Sequence, residues 1–424
     1  MHWESSPAAG CRRMPFLTVL LLSSRAGTGR LDAQLARRPG PKRWSSGGAL
    51  TAEQAAYDVQ FYQLHFAVDP ADSSVAGDAT VHARVLAPLD WIVLDLDSAW
   101  RVRAVSDRDG SPLLFEHREL TLWIRPAAPL TSGNQFALRI RYDGRPRIAP
   151  RPPWIGGFQW ARTPSGAPWI ATTAVNEGAD LFWPVKDHPS DKADSIAISI
   201  TVPDGLVSAS NGRSRGSRNN GDGTVTWQWF VSTPISNYNV ALNIAPYRTL
   251  ERRYPSIAGD TIPVTYWVLP ENLAKGDVLI DEMLEHLRFY ESLLGPYPFR
   301  ADKYGVVETP HLGMEHQTII AYGNEYRTNA YGYDELHQHE LAHEWFGNLT
   351  TASDWSDYWL HESFGTDMQP LYTERLRGPA AYREVSLGQW RAAKNRRAIA
   401  EPGPLTAAEV YFNPPDYLSG DGDI

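Results

Sequence analysis

Hydrophobic and polar residues alternate with a period of two through the first half of the chain. From Tyr57 to about Tyr247 the pattern recurs in short segments. Because neighbouring side chains of a strand point to opposite faces, each segment predicts a strand with one buried face. We therefore expect antiparallel sheets packed as a sandwich or saddle. The apolar positions are Leu64, Phe66 and Val68; Val81, Ala83 and Val85; Ile92, Leu94 and Leu96; Leu120, Leu122 and Ile124; Phe136, Leu138 and Ile140; and Ile196, Ile198, Ile200 and Val202.

The period changes after about Arg252. Apolar residues recur at helical spacing within 276–298, and this run ends in Gly295-Pro296, a typical helix stop. The pattern then predicts a strand over 304–308 and helical segments over 333–348 and 361–378. The fold class is therefore multidomain α+β. The predicted boundaries are a leader and linker over 1–50, an N-terminal β domain over 51–250, and a mostly helical second domain over 251–424.

The leader carries a pattern typical of secretory signals. Arg12 and Arg13 precede a short apolar run from Pro15 to Leu22. This predicts an exported protein, periplasmic or secreted, with the cytoplasm as the alternative. The one cysteine of the chain, Cys11, also lies there, so the rest of the chain has no internal disulfide.

Composition and charge narrow the class of partner. The chain has 424 residues and a net charge of −9, and it has no block rich in Lys or Arg. Nucleic acid is therefore not expected as a partner. No segment after the leader has the ~20 apolar residues that a membrane-spanning helix needs.

The motif 339-HELAH-343 carries the candidate chemistry. Residues four apart lie on one face of a helix, so His339 and His343 can present two imidazoles to one point. Glu340 stands close enough to reach a water bound to a metal there. This spacing predicts a catalytic metal site.

Catalytic zinc commonly takes three protein ligands and leaves one position for water. The metzincin pattern is excluded, because Phe346 and Leu349 stand where it needs Gly and His. Glu362 opens the next predicted helix and is the favoured third ligand. Glu344 and Glu374 are the competing carboxylates, and Glu344 points away from the histidine face. Four further histidines lack ligand spacing and are expected at the surface or in a cleft, with the first two at the substrate groove: His311, His316, His337 and His361.

Four segments together resemble the aminopeptidase N family of zinc metallopeptidases, which also includes a leukotriene epoxide hydrolase. The resemblance runs from about residue 52 to the last residue. It rests on 339-HELAH-343 with Glu362 in 359-WLHESFG-365; on 313-GMEHQ-317, similar to a Gly-x-Met-Glu-Asn exopeptidase motif with His316 for Asn; on 184-PVKDHPSDKA-193, similar to a Pro-Cys-x-Asp segment with Val185 for Cys; and on 237-NYNVALNIAPY-247.

The resemblance implies a β-saddle domain followed by a thermolysin-like peptidase domain. It implies one zinc ion on His339, His343 and Glu362. Glu340 would then be the general base, taking a proton from a zinc-bound water and passing it to the leaving amine. Glu315 would hold the free α-ammonium of a peptide substrate. The strand over 304–308, together with Gly313 and Met314, would bind the substrate backbone.

Two departures from the family pattern stand out. Val175 occupies the place of the family's second amine-binding residue, and Glu177 is a candidate substitute. The family's catalytic Tyr has a Tyr-x-Lys-Gly context, which does not occur before Ile424. Tyr411 and Tyr417 lack that context. We therefore expect a catalytic domain that is incomplete at its C-terminus.

The leading interpretation is a zinc aminopeptidase acting on peptides with a free N-terminus. The alternatives are a non-catalytic zinc-binding fragment of such an enzyme, or an epoxide hydrolase or endopeptidase on the same scaffold. Glu315 argues against a pure endopeptidase. The sequence leaves open the preferred N-terminal residue, the physiological substrate and the oligomeric state.

Overall fold

The structure is a computed structural model that describes residues 45–393, 398–400 and 402–411. The predicted signal at residues 12–22, Cys11 and Tyr417 lie outside these residues, so export stays a prediction. No helix among the described residues is both long enough and apolar enough to cross a membrane.

The strands begin and end close to the alternating segments. The strands of the first half are β1 (Tyr57–Asp69), β2 (Ser74–Val85), β3 (Ile92–Asp95), β4 (Trp100–Ser106), β5 (Leu114–Arg118), β6 (Thr121–Arg125), β7 (Gln135–Gly144), β8 (Gly157–Arg162), β9 (Pro168–Thr173), β10 (Ser195–Pro203), β11 (Val207–Ala209), β12 (Arg213–Asn219), β13 (Thr224–Val231) and β14 (Asn243–Ala245).

The second half combines five strands with most of the helices. The strands are β15 (Arg248–Pro255), β16 (Thr261–Val268), β17 (Tyr304–Glu308), β18 (Gly313–Met314) and β19 (Ile320–Tyr322). The helices of the whole described chain are α1 (Ala52–Ala55), α2 (Leu273–Leu294), α3 (Glu335–Ala342), α4 (Trp359–Arg377), α5 (Pro379–Ala392) and α6 (Ala407–Tyr411).

The first fourteen strands form three sheets, which confirms the predicted β-rich half. The orders are β12-β13-β10-β1-β2-β7-β4, β11-β14-β9-β8 and β3-β6-β5. All their pairings are antiparallel except that of β1 with β10, which is parallel. The core is aromatic: Trp183 packs edge-on against Tyr62 and Phe66, all three fully buried. This packing holds the sheets together through apolar burial.

The remaining strands form a mixed sheet in the order β15-β16-β17-β19-β18. Strands β16, β17 and β19 run parallel, and α2 makes the long crossover that a parallel β16–β17 pair requires. Strand β15 spans the predicted domain boundary at residue 250. Helix α2 ends at Gly295, as the sequence predicts.

The helix that carries His339 is shorter than its predicted segment. Asp334 caps its N-terminus by accepting a hydrogen bond from His337 N at 3.0 Å. Helix α3 ends at Ala342, and turns continue from there to Thr350. The segment 333–348 is therefore helical only in its middle, and its last part is a loop packed behind the metal-binding motif.

Polar contacts join the two halves close to this loop. Lys192 Nζ donates to Asn348 O at 2.5 Å, and Asn239 Nδ2 donates to Asn348 Oδ1 at 2.7 Å. Residues 45–48 also bridge the halves: Ser46 N donates to Asn176 O, and Trp355 Nε1 donates to Ser46 Oγ. The β half is thus fixed against the second half beside α3.

Gly77 on β2 gives a direct test of the packing around Tyr142, its cross-strand neighbour on β7. A Cβ at residue 77 would lie 2.1 Å from Cζ of Tyr142, a buried ring whose hydroxyl donates to Phe182 O at 2.8 Å. We predict that Gly77→Ala lowers the free energy of unfolding by about 1–3 kcal/mol, because the ring has no room to move. Urea titration followed by tryptophan fluorescence measures this change.

Gly388 in α5 is the matched control. A Cβ there meets no atom within 4 Å. Gly388→Ala should leave the free energy of unfolding unchanged or raise it by up to about 1 kcal/mol, because alanine favours helix. Equal destabilisation by the two substitutions would contradict the packing account.

Candidate metal centre

Helices α3 and α4 bring three metal-binding side chains to one point. His339 Nε2 and His343 Nε2 are 3.1 Å apart, and Glu362 Oε2 is 3.7 Å from His339 Nε2. One ligand atom from each residue lies within 4.8 Å of the others. The four-residue spacing on α3 and the first turn of α4 produce this arrangement.

The donor set fits a zinc ion. The Nδ1 atom of His343 is 3.0 Å from Phe346 O, so this nitrogen carries the hydrogen and Nε2 carries the lone pair. Two imidazole nitrogens on tetrahedral zinc stand ~3.3 Å apart when each bond is ~2.0 Å. The observed separation is close to that value. Two nitrogens and one carboxylate leave a fourth position open, which is typical of catalytic zinc.

A glycine permits α4 to approach the two imidazoles. A Cβ at Gly365 would lie 3.1 Å from His343 Cε1 and 3.4 Å from His339 Cε1. A larger side chain at this position would push α4, and with it Glu362, away from α3. Gly365 is therefore part of the geometry that assembles the three ligands.

Two further carboxylates share the pocket. Glu340 and Glu315 are both buried, and a Cβ at Gly313 would lie 2.4 Å from Glu340 Oε1. Burial raises the pKa of Glu340, and the charges of Glu315 and Glu362 raise it further. Burial also raises the pKa of Glu315, where the charge of His343 opposes the change and that of Glu362 adds to it. A divalent cation would favour the ionised form of all three carboxyls.

His339 and Glu362 are in the protonation states that metal binding requires. Burial lowers the pKa of His339, which favours the neutral imidazole. Burial raises the pKa of Glu362, but the charge of His343 and the hydrogen bond to His339 outweigh it and bring this pKa to about 2. Glu362 is therefore ionised at neutral pH.

Two tyrosines lie at the site, and neither has a functional role that is predicted from the sequence. Tyr358 Oη donates to Glu362 Oε1 at 3.1 Å, which leaves Oε2 of that carboxylate to face the histidines. The spacing of four residues between Tyr358 and Glu362 could have indicated this contact. Tyr238 comes from the β half, and burial and the charge of Glu315 raise its pKa. No local pattern places Tyr238 here, because its partners are distant along the chain.

The four other histidines, expected from the sequence at the surface or in a cleft, are all buried, so none lies at the open surface. His311 is 4% exposed, and His316, His337 and His361 are fully buried. Three of these rings have polar partners: Gln159 bonds His311 Nδ1 at 2.7 Å, His286 and Tyr304 bond His337, and Ala352 N donates to His361 Nε2 at 3.0 Å. Among the described residues, His311 Nε2 and His361 Nδ1 have no hydrogen-bond partner. Buried histidine is stable where such partners exist.

The remaining predicted substrate-binding residues fall in two places. Gly313 and Met314 form β18 and lead directly to Glu315. Glu177 lies on a loop of the β half, where Oε2 accepts from Gly156 N at 2.6 Å and burial raises its pKa to about 7. Among the described residues no hydrogen bond or ion pair joins Glu177 to Glu315. The substitute role of Glu177 stays a prediction.

Comparison with known proteins gives matches to two family models. The model of the Peptidase M1 N-terminal domain matches residues 58–239, and that of the Peptidase family M1 domain matches residues 285–414. Both lie in chain order, and the second contains the metal centre.

Curated relatives are similar over parts of their length. Aminopeptidase B of Mus musculus is 26% identical over 371 residues, which cover 81% of this chain and 54% of that protein. Mitochondrial aminopeptidase 2 of Saccharomyces cerevisiae is 32% identical over 329 residues, covering 72% and 33%. Aminopeptidase N of Haemonchus contortus is 28% identical over 228 residues, covering 48% and 22%. The chain thus spans from about a fifth to about a half of these relatives.

Solved structures share the fold over most of their length. An M1 zinc metallopeptidase mutant from Deinococcus radiodurans, bound to a Tyr-Ser-Ala substrate, aligns with a TM-score of 0.71 at 24% identity. The alignment covers 87% of this chain and 83% of that one. The chain matches both family models in order, shares the fold and has a complete His-His-Glu triad. It therefore belongs to peptidase family M1.

Proposed function

We propose that the site is that of a zinc-dependent aminopeptidase, which removes N-terminal residues from peptides. One observation carries this proposal. The buried carboxylate of Glu315 lies beside the triad and Glu340, so that its charge acts on the pKa of Glu340. An anion fixed next to a catalytic metal can anchor the positive end of a peptide. Only the first peptide bond then reaches the metal.

The relatives support the same reading. Several curated relatives bear the name aminopeptidase, and one solved structure of the family holds a Tyr-Ser-Ala substrate. A free tripeptide carries the ammonium group that Glu315 would bind here. The chemistry of this site therefore favours short peptides with a free N-terminus as the substrate class.

Glu340 is suited to proton transfer. It follows His339 on α3, and its carboxylate faces the backbone of β18 at Gly313. A bound zinc ion supplies a Lewis acid and lowers the pKa of a coordinated water. Glu340 accepts a proton from the attacking water and delivers it to the leaving amine. Burial raises the pKa of Glu340, which favours acceptance of the proton from water.

Glu315 supplies the anchor for the ammonium group. Among the described residues its Oε1 has no hydrogen-bond partner, although the side chain is 3% exposed. A buried acceptor without a partner is costly, and a bound ammonium would remove that cost. Internal peptide bonds have no ammonium nearby, so the same carboxylate disfavours endopeptidase action.

The sheet edge offers a place for the substrate backbone. Strand β18 is the last strand of its sheet, and within the part of the chain that the structure describes it pairs only with β19. Its free edge can add a peptide strand by backbone hydrogen bonds. Gly313 and Met314 would then bind the residues on either side of the cleaved bond.

We predict that Glu340→Gln lowers kcat at least ~100-fold and changes KM little, because proton transfer is lost while binding remains. Steady-state hydrolysis of leucyl and alanyl anilides by the zinc-loaded chain measures both constants. Glu335→Gln, at the start of the same helix, is the control and should keep the activity. Full activity of Glu340→Gln would contradict the proposal, and an inactive unmodified chain would favour the non-catalytic alternative.

We predict that Glu315→Ala raises KM for leucyl anilide ~10- to 150-fold, which corresponds to the loss of one hydrogen bond to a charged group. The N-acetylated anilide should be a poor substrate of the unmodified chain, because it has no ammonium. Equal rates on the free and acetylated substrates would instead indicate an endopeptidase-like site.

We predict that zinc stabilises the metal-free chain and that His343→Ala abolishes the effect. Free zinc at 100 times its Kd should add ~2.7 kcal/mol to the free energy of unfolding, because it binds only the folded site. Thermal unfolding before and after chelation and zinc addition measures this. His82→Ala, on β2 of the first half, is the control and should keep the response. An unchanged response in His343→Ala would place the bound zinc elsewhere.

A further inference from the structure

We propose that Glu344 and Asn348 are positioning residues that fix Glu315 relative to the metal ligands. This inference rests on the proposed function, in which Glu315 binds the substrate ammonium. Both residues belong to the loop that follows His343. We refer to Glu344 and Asn348 together as the bracket.

The bracket holds both ends of the segment 315–318. Asn348 Nδ2 donates to Glu315 O at 2.8 Å, and Thr318 N donates to Glu344 Oε1 at 2.8 Å. The first carbonyl and the last amide of this segment are therefore bonded to the loop behind the metal centre. A shift of the loop relative to the segment would move the Glu315 side chain away from the metal ligands.

The bracket is also bonded internally and to a metal ligand. Asn348 Nδ2 donates to Glu344 Oε2 at 3.2 Å, and Tyr297 Oη donates to Glu344 Oε1 at 3.1 Å. Asn348 N donates to His343 O at 2.9 Å. Neither Glu344 nor Asn348 is exposed to solvent. Water therefore cannot replace these bonds, and the path from His343 to Glu315 is a continuous chain of buried hydrogen bonds.

The backbone of the segment shows that its surroundings impose its shape. Thr318 has a φ of 63°, a left-handed conformation that is rare for a β-branched residue. Its hydroxyl donates to Gln317 O at 2.6 Å and accepts from Gly212 N at 2.8 Å. Such a conformation persists only where neighbouring bonds hold it.

The β half adds a third support through one side chain. Asn239 Nδ2 donates to Asn348 Oδ1 at 2.7 Å, and its Oδ1 accepts from Gln317 N at 3.3 Å. Asn239 therefore contacts both the bracket and the segment that the bracket holds. This contact fixes the orientation of the Asn348 amide, so that its Nδ2 faces Glu315.

The arrangement requires a side chain at residue 344 that only accepts hydrogen bonds. The Glu344 carboxylate accepts from three donors, Thr318 N, Tyr297 Oη and Asn348 Nδ2. A glutamine of the same size would present an NH₂ group to one of these donors. Glu344→Gln should therefore break one end of the bracket while keeping the volume of the side chain.

The test compares the affinity of two ligands for the zinc-loaded chain by titration calorimetry. Leucine hydroxamic acid carries the α-ammonium, and 4-methylpentanoic hydroxamic acid has the same skeleton without it. The ratio of the two Kd values isolates the contribution of the ammonium. It should be at least ~10-fold in the unmodified chain. We expect the ratio to fall toward 1 in Glu344→Gln and in Asn348→Ala, because Glu315 is misplaced.

Asp95→Asn, in the β half, is the control. This carboxylate accepts hydrogen bonds from Gln54 Nε2 at 2.8 Å and Asp187 N at 2.9 Å, and among the described residues neither donor bonds the bracket or the segment 315–318. Its loss should lower the melting temperature and leave the ratio unchanged. A ratio that falls equally in Asp95→Asn would overturn the inference in favour of general loosening.

A ratio that stays at the unmodified value in both bracket variants would also overturn the inference and leave the proposed function intact. A ratio of 1 in the unmodified chain would contradict the proposed function itself and the inference with it. If Glu344→Gln does not fold, the ratio of the two Kd values in Asn348→Ala and in Asn348→Ser tests the inference instead.

Discussion

Charge balance in one buried pocket is the constraint on which the rest of the structure depends. Glu315, Glu340 and Glu362 lie close enough for their charges to act on one another, and all three are largely shielded from solvent. Buried carboxylates repel each other, and water cannot screen them. The imidazole of His339, whose pKa is lowered by burial, does not offset this repulsion. A divalent cation on the triad removes the imbalance, which explains why three carboxylates lie so close together.

The fold meets this constraint by bringing three elements into close contact without side chains between them. Gly365 lets α4 approach the imidazoles on α3, and Gly313 lets β18 approach Glu340. Behind these contacts, buried hydrogen bonds from Glu344 and Asn348 hold the loop of Glu315. The chemistry of the site thus depends on close approach of the backbone and on buried hydrogen bonds that position the side chains.

The sequence is informative where structure depends on local periodicity. The alternation of Ile196 to Val202 predicts β10, and the spacing of His339 and His343 predicts a shared metal-binding face, because both follow from the geometry of one element. The parallel pairing of β1 with β10 cannot be predicted from periodicity, since a strand shows the same alternation in parallel and in antiparallel pairs. The roles of Tyr238 and of the bracket cannot be predicted from the sequence either, because their partners lie far away along the chain. The buried state of His337 depends on His286 and Tyr304, which no spacing rule connects.

The most direct test of the central claim is the anomalous scattering of zinc-loaded crystals on either side of the zinc absorption edge. The account predicts one anomalous peak, ~2.0–2.2 Å from His339 Nε2, His343 Nε2 and a carboxylate oxygen of Glu362. Glu340 should then lie beside the metal without binding it. A fully folded chain with no peak at this position, or with a peak that replaces one of the three ligands by Glu344 or Glu374, would contradict the account.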